Sequence, residues 1–163
     1  MNLPSPQFCS RPMSATDIQH VLEIAAQLTG APDWAATAYV RAIDPANASR
    51  RIALVAADPQ SDIPAGFLVA SLLEPEAELE TIAVAGVWQH RGIGGLLLKV
   101  LLEELGKEEV TGLHLEVRAS NQTALRFYLA HGFRETGRRP RYYVDPEEDA
   151  VLMKLDLPPV SSV

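Results

Sequence analysis

Cysteine is almost absent from this chain, and basic residues are in deficit. Cys9 is the single cysteine in 163 residues, so no internal disulfide can form and nothing points to secretion. The 14 lysines and arginines are outnumbered by 21 acidic residues, which gives a net charge of −7 at pH 7. An acidic protein attracts cationic partners, and it lacks the broad basic face of a nonspecific nucleic-acid binder. We therefore predict no direct nucleic-acid partner.

Long apolar runs and metal-ligand patterns are missing too. No run approaches the roughly 18 apolar residues of a membrane-spanning helix. Residues 1–12 lack the basic-then-apolar pattern of a signal peptide. The histidines share no ligand spacing; they stand at His20, His90, His114 and His131. These absences predict a cytoplasmic protein with no membrane partner and no bound metal.

The remaining composition is that of one globular domain. Hydrophobic residues make up 47% and charged residues 21% of the chain, an ordinary balance for a chain long enough to build a core. Prolines and serines concentrate at both ends. We predict a single domain over residues 7–157, with flexible tails at residues 1–6 and 158–163.

Hydrophobic periodicity predicts a chain of alternating strands and helices. We expect helices over residues 18–28, 32–43, 94–107 and 121–131, and strands over residues 8–13, 51–57, 65–73, 78–87, 113–118, 133–144 and 150–157. Ser14 followed by Asp17 fits the cap of the first helix. Because helices separate the strands in the second half, at least one strand pair should be parallel and covered by helices.

The most informative stretch is Gln89-His90-Arg91-Gly92-Ile93-Gly94, which lies between an apolar strand and an apolar helix. The first N–H groups of a helix lack internal partners, and glycines let an anion approach them closely. Leu97 stands where a dinucleotide-binding loop needs a third glycine, and no Gly-Lys-Ser/Thr occurs. The pattern Gln-x-x-Gly-x-Gly therefore predicts a different kind of phosphate loop. A helix start that merely uses glycines is the alternative.

Three blocks resemble the GNAT superfamily of acetyl-CoA-dependent N-acetyltransferases: Ile82-Ala83-Val84 through Gly94, Leu115-Glu116-Val117-Arg118-Ala119-Ser120-Asn121, and Phe127-Tyr128-Leu129-Ala130-His131-Gly132-Phe133. The second block resembles in particular the bacterial ribosomal-protein-alanine N-acetyltransferases, the RimI-like family. Further pieces are similar to that family's early Pro-Trp element and its ending; they are Pro32-Asp33-Trp34, Arg138-Arg139-Pro140-Arg141-Tyr142-Tyr143 and Glu148-Asp149-Ala150. Thr81 and Gly95 depart from the residues common in the superfamily.

The resemblance implies an α/β fold with a mixed, mostly antiparallel seven-stranded sheet, flanked by helices, and a splayed parallel pair at its centre. It implies acetyl-CoA as co-substrate and a protein N-terminal α-amine as acceptor, expected to be the N-terminal alanine of a ribosomal protein. The enzyme would act as a monomer or weak dimer, without a covalent intermediate. Two alternatives stay open: acetylation of a small amine (polyamine, aminoglycoside or amino acid), or acetyl-CoA binding without turnover.

The resemblance also assigns residues to acetyl-CoA. Pantetheine would lie against the backbone of Ile82, Ala83 and Val84, where one N–H could support the oxyanion. The pyrophosphate would be held by His90, Arg91, Gly92, Ile93, Gly94 and Gly95. Arg91 could equally be a solvated surface residue. Asn121 would contact the cofactor, although capping of the following helix alone would explain it.

Glu116 is the predicted general base and Tyr128 the predicted general acid. Strand alternation places Glu116 on the face opposite Leu115 and Val117. An ion pair with Arg118 or Arg126 is the competing interpretation of Glu116, and a core tyrosine is that of Tyr128.

The predicted acceptor-binding residues are Trp34, Glu80, Arg141, Tyr142 and Tyr143. Glu80 is also a rival for the role of general base, because many superfamily members carry a carboxylate on the earlier strand. Ordinary aromatic pairing in a hairpin would equally explain the two tyrosines. Trp34 could be a packing residue.

Overall fold

The computed structural model describes residues 7–28, 34–47 and 50–159. The predicted tail at residues 1–6 and most of the predicted tail at residues 158–163 lie outside the described residues. Pro32 and Asp33, from the early Pro-Trp element, lie outside them as well. Within the described ranges, no helix has both the length and the apolar character needed to cross a membrane.

The described residues form seven strands and four α-helices. The strands are β1 (Cys9–Pro12), β2 (Arg51–Ala57), β3 (Pro64–Leu73), β4 (Glu76–Val84), β5 (Gly112–Arg118), β6 (Arg134–Tyr143) and β7 (Glu148–Asp156). The helices are α1 (Ile18–Ala26), α2 (Ala36–Ile43), α3 (Ile93–Lys107) and α4 (Gln122–Ala130). Short 3₁₀ turns cover Ala15–Asp17 and Gly86–Trp88.

The strands form one mixed sheet in the order β1-β2-β3-β4-β5-β7-β6. Only β4 and β5 are parallel, and α3 provides the crossover that a parallel pair requires. All the other neighbours are antiparallel. This arrangement confirms the predicted mixed, mostly antiparallel seven-stranded sheet.

The parallel pair separates almost as soon as it forms. β4 and β5 pair at Glu76↔Gly112, Ala77↔Leu113 and Glu78↔His114, and the pairing ends there. Beyond this point β4 stays bonded to β3, and β5 stays bonded to β7. The facing edges of the two strands therefore open into a slot, which confirms the predicted splay.

A β-bulge at Glu80 changes the faces that β4 presents. Thr81 pairs with Val69 and Leu79 with Ala70, so Glu80 is the extra residue. Leu79 belongs to the core under α3 and α4, whereas Ala83, four residues later, belongs to the core under α1 and α2. Without the bulge, strand alternation would put both residues on one face.

Two hydrophobic cores cover the two faces of the sheet. The first lies under α3 and α4 and is centred on fully buried Leu68, Leu97 and Leu101. The second lies under α1 and α2 and contains Val21 and Phe67. The core under α1 and α2 does not include residues of β5, β6 or β7, so those strands are left free to build a site on that face.

Two predicted boundaries are wrong by three or four residues, and most of the others differ from the structure by one or two residues. The strand predicted over residues 78–87 ends at Val84, because residues 86–88 turn into a 3₁₀ segment. The helix predicted from residue 32 begins only at Ala36 in the described residues. The helix predicted from Gly94 begins at Ile93.

The first helical segment is anchored by Arg11, which bridges two aspartates. Its guanidinium binds both oxygens of Asp17, at 2.7 and 2.8 Å, and also contacts Asp62 at 3.0 Å. The Asp17 carboxylate accepts the Ser14 backbone N–H as well, which is the predicted capping contact. Burial would raise the pKa of Asp17, but the bonds from Arg11 and Ser14 outweigh it and hold that pKa below its ordinary value.

Replacing Asp17 by Asn should destabilise the protein by about 1–3 kcal/mol at pH 7, because Arg11 loses its buried counter-charge. The pKa of Asp17 is lower in the folded protein than in the unfolded chain, where it is about 3.9. The contribution of Asp17 to stability is therefore complete above that pH and is lost as the pH falls through the pKa of the folded state. The difference between wild type and variant should therefore be constant near neutrality and shrink below about pH 4. Urea unfolding of both proteins at a series of pH values measures this difference in the free energy of unfolding.

The matched control is Asp62→Asn, which removes the second partner of Arg11. The side chain of Asp62 is 76% exposed, so its loss should change stability by less than about 0.5 kcal/mol. Equal costs for the two variants would contradict this account of the cap.

Candidate active site

The glycine-containing loop brings the start of α3 beside the end of β4. Gly92 is the N-cap of α3 and adopts a left-handed φ of 79°. Its carbonyl accepts the N–H of Leu96 at 3.0 Å, so the three preceding helical N–H groups have no partner within the helix. Gln89 ties the loop back to β4, because its Nε2 donates to the Val84 carbonyl at 3.2 Å. The loop thus presents donors beside the open slot.

Space around the loop differs from glycine to glycine. Open space surrounds Gly92 where a Cβ would stand. A Cβ on Gly94 would lie 3.3 Å from the Phe127 ring, and one on Gly95 would lie 3.4 Å from His131. The first turn of α3 is therefore packed on α4, while the loop before it is accessible to an anion.

Arg91 is exposed, and its side chain stacks on an aromatic ring of the preceding turn. Its guanidinium lies 5.2 Å from the centroid of the Trp88 ring, which itself packs edge-on against Phe8 at 5.1 Å. Arg91, Gly92 and Leu96 line a cavity of about 530 Å³ together with the start of β1. The stacking holds one positive charge next to the loop.

Gly66 on β3 permits this close approach of α3 to the sheet. A Cβ at this position would lie 2.9 Å from the Ala83 carbonyl oxygen and 3.0 Å from the Ile93 side chain. Both neighbours belong to the predicted cofactor-binding residues. Gly66 therefore fixes the distance between the end of β4 and the start of the helix.

An acidic group of side chains lies across the slot from β5. Glu80 is held by Arg51 through two bonds of 2.8 and 3.3 Å. Burial raises the pKa of Glu78, and the nearby charges of Glu116 and Glu80 raise it further. The carboxylate of Glu80 thus has its own counter-ion, whereas burial and neighbouring carboxylates disfavour the charged form of Glu78.

Glu116 is partly buried, with 21% of its side chain exposed, and Arg139 contacts it at 3.4 Å. A hydrogen bond to Glu116 is the main cause that raises the pKa of Tyr142. The competing interpretation of Glu116 was an ion pair with Arg118 or Arg126. Arg118 pairs with Glu148 instead, and the arginine that contacts Glu116 is Arg139. The carboxylate of Glu116 therefore lies between β5 and the hairpin of β6 and β7.

Tyr128 approaches from the other face of the sheet. It is 8% exposed and belongs to the core under α3 and α4. Its ring packs against Phe127 and Phe133, each with centroids 5.4 Å away. Burial raises the pKa of Tyr128 well above its ordinary value, so the phenol keeps its proton at neutral pH.

The turn between β5 and α4 is held by contacts from β7. Asn121 caps α4, because its side chain accepts the Ala124 N–H at 3.1 Å. Glu148 accepts the Ser120 N–H and contacts Arg118 at 3.4 Å. Glu148 thus joins two pieces of sequence that carry the family resemblance, residues 115–121 and residues 148–150.

The predicted acceptor-binding residues fall into two groups. The ring centroids of Tyr142 and Tyr143 lie 5.0 Å apart on the hairpin, and the guanidinium of Arg118 lies 4.3 Å from the centroid of the Tyr143 ring. Arg141 has a left-handed φ of 54°, and its backbone N–H donates to Asp149 at 3.0 Å. Trp34 lies instead against a residue of α2, with its ring 5.3 Å from that of Tyr39. Its role in acceptor binding, like that of the hairpin residues, stays a prediction.

Comparison with known proteins identifies this arrangement. The acetyltransferase (GNAT) family matches residues 18–133 of the chain. The chain belongs to the GNAT acetyltransferase family. This membership confirms the predicted family and the class of enzyme that it comprises.

Individual GNAT proteins are similar over different lengths. The ribosomal protein bS18-alanine N-acetyltransferase of Escherichia coli is 42% identical over 95 residues, which is 57% of this chain and 64% of that protein. The crystal structure of the ribosomal-protein-S18-alanine N-acetyltransferase from Escherichia coli has a TM-score of 0.77 at 30% identity and covers 93% of this chain and 94% of that one. Arabidopsis thaliana NAA60 in complex with acetyl-CoA has a TM-score of 0.82 at 18% identity, over 93% and 99% of the two chains. The last likeness shows the shared fold.

Three charged residues of the site are not among the predicted site residues. Arg51 reaches Glu80 from β2, two strands away, and nothing local in the sequence signals that contact. Glu78 stands two residues before Glu80 on β4 and was not predicted as a site residue. Arg139 was seen only as one arginine of the hairpin, although it faces Glu116. Among the residues that the structure describes, no three metal-binding side chains cluster.

Replacing Gly66 by Ala in this GNAT chain should destabilise it by about 1–3 kcal/mol, because the new methyl group meets backbone at less than 3 Å. Gly86→Ala is the control, since nothing lies within 4 Å of a Cβ there, and its effect should stay within about 0.5 kcal/mol. Urea unfolding of both variants is the measurement. If Gly66→Ala left the free energy of unfolding unchanged, the position of α3 would not depend on this close contact.

Proposed function

We propose that this chain transfers an acetyl group from acetyl-CoA to the N-terminal α-amine of a protein, with the N-terminal alanine of a ribosomal protein as the acceptor. One observation carries the proposal. Tyr128 belongs to the core on one face of the sheet, whereas Glu116 of β5 lies on the opposite face, beside the slot. A general acid and a general base from these two residues would therefore approach an acyl group in the slot from opposite sides.

The slot and the loop fit acetyl-CoA as a substrate. The edge of β4 beyond Glu78 has no partner on β5, so it can pair with the amides of an extended pantetheine arm. The free N–H groups at the start of α3 and the stacked Arg91 would bind its diphosphate. Acetyl-CoA supplies the thioester, and the backbone N–H of Ile82 or Val84 would stabilise the oxyanion.

Glu116 is better suited than Glu80 to accept the acceptor's proton. Arg51 already occupies the carboxylate of Glu80 with two bonds. The amine needs to lose one proton before attack, and with a pKa of about 8 for an α-ammonium group only modest help is required. Glu116 would take that proton directly or through a water molecule.

Tyr128 would donate a proton to the leaving group. The leaving group is the thiolate of CoA, which needs a proton as the carbon–sulfur bond breaks. The phenol of Tyr128 stays protonated because burial raises its pKa, and it lies on the α4 side of the slot. Direct attack by the amine on the thioester balances the protons, because the nitrogen loses two of them in becoming an amide. The first would go to Glu116 before attack, and the second, lost as the tetrahedral intermediate collapses, would replace the proton that Tyr128 gives to the thiolate.

The face that carries Glu116 suits a peptide acceptor. Its carboxylates attract an α-ammonium group, and Tyr142, Tyr143 and Arg141 form a hairpin beside them that can flank an extended chain. The E. coli relatives are named as alanine N-acetyltransferases of ribosomal protein S18. A small amine would use the carboxylates but would gain nothing from the hairpin.

Glu116→Gln and Tyr128→Phe should each lower turnover by about 10²–10⁴-fold, because each removes a proton acceptor or donor. Glu104→Gln is the control, because Glu104 pairs only with Lys107 on the outer side of α3. The rate of CoA thiol release with an alanine-starting peptide is the measurement. Full activity of both site variants would contradict these two catalytic roles, whereas no CoA release by the wild type with any amine would leave acetyl-CoA binding without turnover as the better account of the site.

Peptides that start with alanine should be acetylated, and the same peptides with a blocked N-terminus should not. Spermidine, an aminoglycoside and free alanine form the comparison panel, with CoA release and product mass as readouts. Turnover of a small amine without turnover of any alanine-starting peptide would replace the peptide acceptor by a small-molecule acceptor.

A further inference from the structure

A bulge interrupts β6 beside the proposed site. The pairing of β6 with β7 passes from Arg139 directly to Tyr143, and Asp149 is the one β7 residue between their partners. Residues 140–142 therefore stand opposite Asp149 alone. Extra residues on one strand disrupt the ladder locally and redirect the side chains of that strand. The bulge thus decides which way the hairpin tyrosines point.

Two consecutive tyrosines lie on one face of the sheet at this bulge. In a regular strand, neighbouring side chains point to opposite faces. The centroid of the Tyr142 ring nevertheless lies 5.5 Å from the guanidinium of Arg139, which contacts Glu116 at 3.4 Å. The centroid of the Tyr143 ring lies 4.3 Å from the guanidinium of Arg118, which stands two residues after Glu116 on β5. Both rings are therefore on the face that carries Glu116.

The side chain of Asp149 holds the bulge in place. Its Oδ1 accepts the backbone N–H of Arg141, the middle residue of the bulge, at 3.0 Å. Arg141 has a left-handed φ of 54°, a conformation that is unfavourable for a residue with a side chain and persists only with support from its surroundings. The backbone carbonyl of Asp149 accepts the N–H of Ala119 at 3.1 Å, just after the end of β5. Asp149 thus ties the bulge to the strand that carries Glu116.

We propose that Asp149 is a positioning residue for the acceptor: its side chain fixes the bulge that places Tyr142 beside Glu116, where the N-terminal residue of the peptide would enter. This inference rests on the proposed function. Tyr142 is the residue through which Asp149 acts. A hydrogen bond joins its side chain to Glu116, and 47% of the residue stays exposed to an incoming chain.

Glu147 provides a matched comparison, because it contacts the same arginine in a different way. Its carboxylate lies 3.2 Å from the Arg141 guanidinium, and the side chains of Glu147 and Arg141 are 64% and 82% exposed. Exposed ion pairs contribute little to stability. The bond from Asp149 goes instead to the backbone of the bulge. Removal of either acid deletes a carboxylate next to Arg141, but only removal of Asp149 releases the bulge.

Loss of the Asp149 side chain should affect the two substrates differently. Without this bond Arg141 can leave the left-handed conformation, and ordinary alternation would turn Tyr142 away from Glu116. The acceptor would then lose one wall of its site. The glycine loop and the unpaired edge of β4, which would bind acetyl-CoA, belong to other elements. Asparagine keeps an acceptor oxygen at the same position, so Asp149→Asn should preserve the bulge.

The first test compares the kinetics of Asp149→Ala, Asp149→Asn and Glu147→Ala with an alanine-starting peptide. Asp149→Ala should raise the KM for the peptide by roughly 10- to 100-fold and change the KM for acetyl-CoA by less than about twofold. Asp149→Asn and Glu147→Ala should keep both constants near those of the wild type. Asp149→Val, a residue that suits a strand and has no acceptor oxygen, replaces Asp149→Ala if the alanine variant does not fold.

Three outcomes of this test would overturn the proposal. The KM for the peptide could stay unchanged in Asp149→Ala, or the KM values for both substrates could rise equally, which indicates a general loss of structure. Asp149→Asn could be as impaired as Asp149→Ala, which indicates a role of the charge and not of the bond to Arg141.

A double variant tests whether Asp149 acts through Tyr142. In a Tyr142→Ala background, Asp149→Ala should raise the KM for the peptide by less than about twofold further, because the side chain that the bulge positions is already gone. Multiplicative effects of the two substitutions would contradict this route.

The last test needs no turnover, so it separates this inference from the proposed function. The chain has four tyrosines, so carbon-13 labelling of the tyrosine rings gives few NMR signals, and Tyr142→Phe assigns that of Tyr142. The Tyr142 signal should move in Asp149→Ala and stay in place in Asp149→Asn and Glu147→Ala. An unmoved signal in Asp149→Ala would overturn the inference even in an active enzyme. The expected signals in a wild type that acetylates no peptide would overturn the proposed function alone.

Discussion

The hydrogen bonds that β4 and β5 fail to make are the constraint on which the site depends. Three residue pairs hold the parallel strands together, and then each strand continues with one edge unpaired. Unpaired backbone groups at the centre of a sheet are costly unless a ligand or water satisfies them. The α3 crossover keeps the strands parallel, and the bulge at Glu80 redirects β4 at the point of separation. The opening is therefore built into the strand register.

The separation gives the two faces of the sheet different chemistry. On the face under α3 and α4, the slot borders a packed core, and burial there keeps the phenol of Tyr128 neutral. The other face of β5 carries charged side chains, and Glu116 is held there between Arg139 and Tyr142. One opening thus joins an apolar environment to a charged one. Acyl transfer needs this asymmetry, because one partner must lose a proton while the other gains one.

Much of this architecture could be predicted from local sequence. The strand and helix pattern, the glycine loop, the Asn121 cap and the Asp17 contact follow from periodicity and short-range hydrogen bonding. The contacts that could not be predicted join residues far apart in the chain, such as Arg51 with Glu80 and Arg139 with Glu116. They depend on strand register and on bulges, and a shift of one residue reverses the face of every side chain that follows. The early end of β4 at Val84 has the same cause, because alternation alone does not reveal where pairing ceases.

Glu148, where β7 leaves the turn of the β6–β7 hairpin, binds Ser120 and Arg118 just before α4. The tip of that hairpin, residues 144–147, lies beyond these contacts and carries exposed Val144. Arg118 also reaches the tip, but it does so through the backbone carbonyl of Pro146. Side chains at the tip can therefore change without removing either contact of Arg118, and the turn into α4 keeps its anchor.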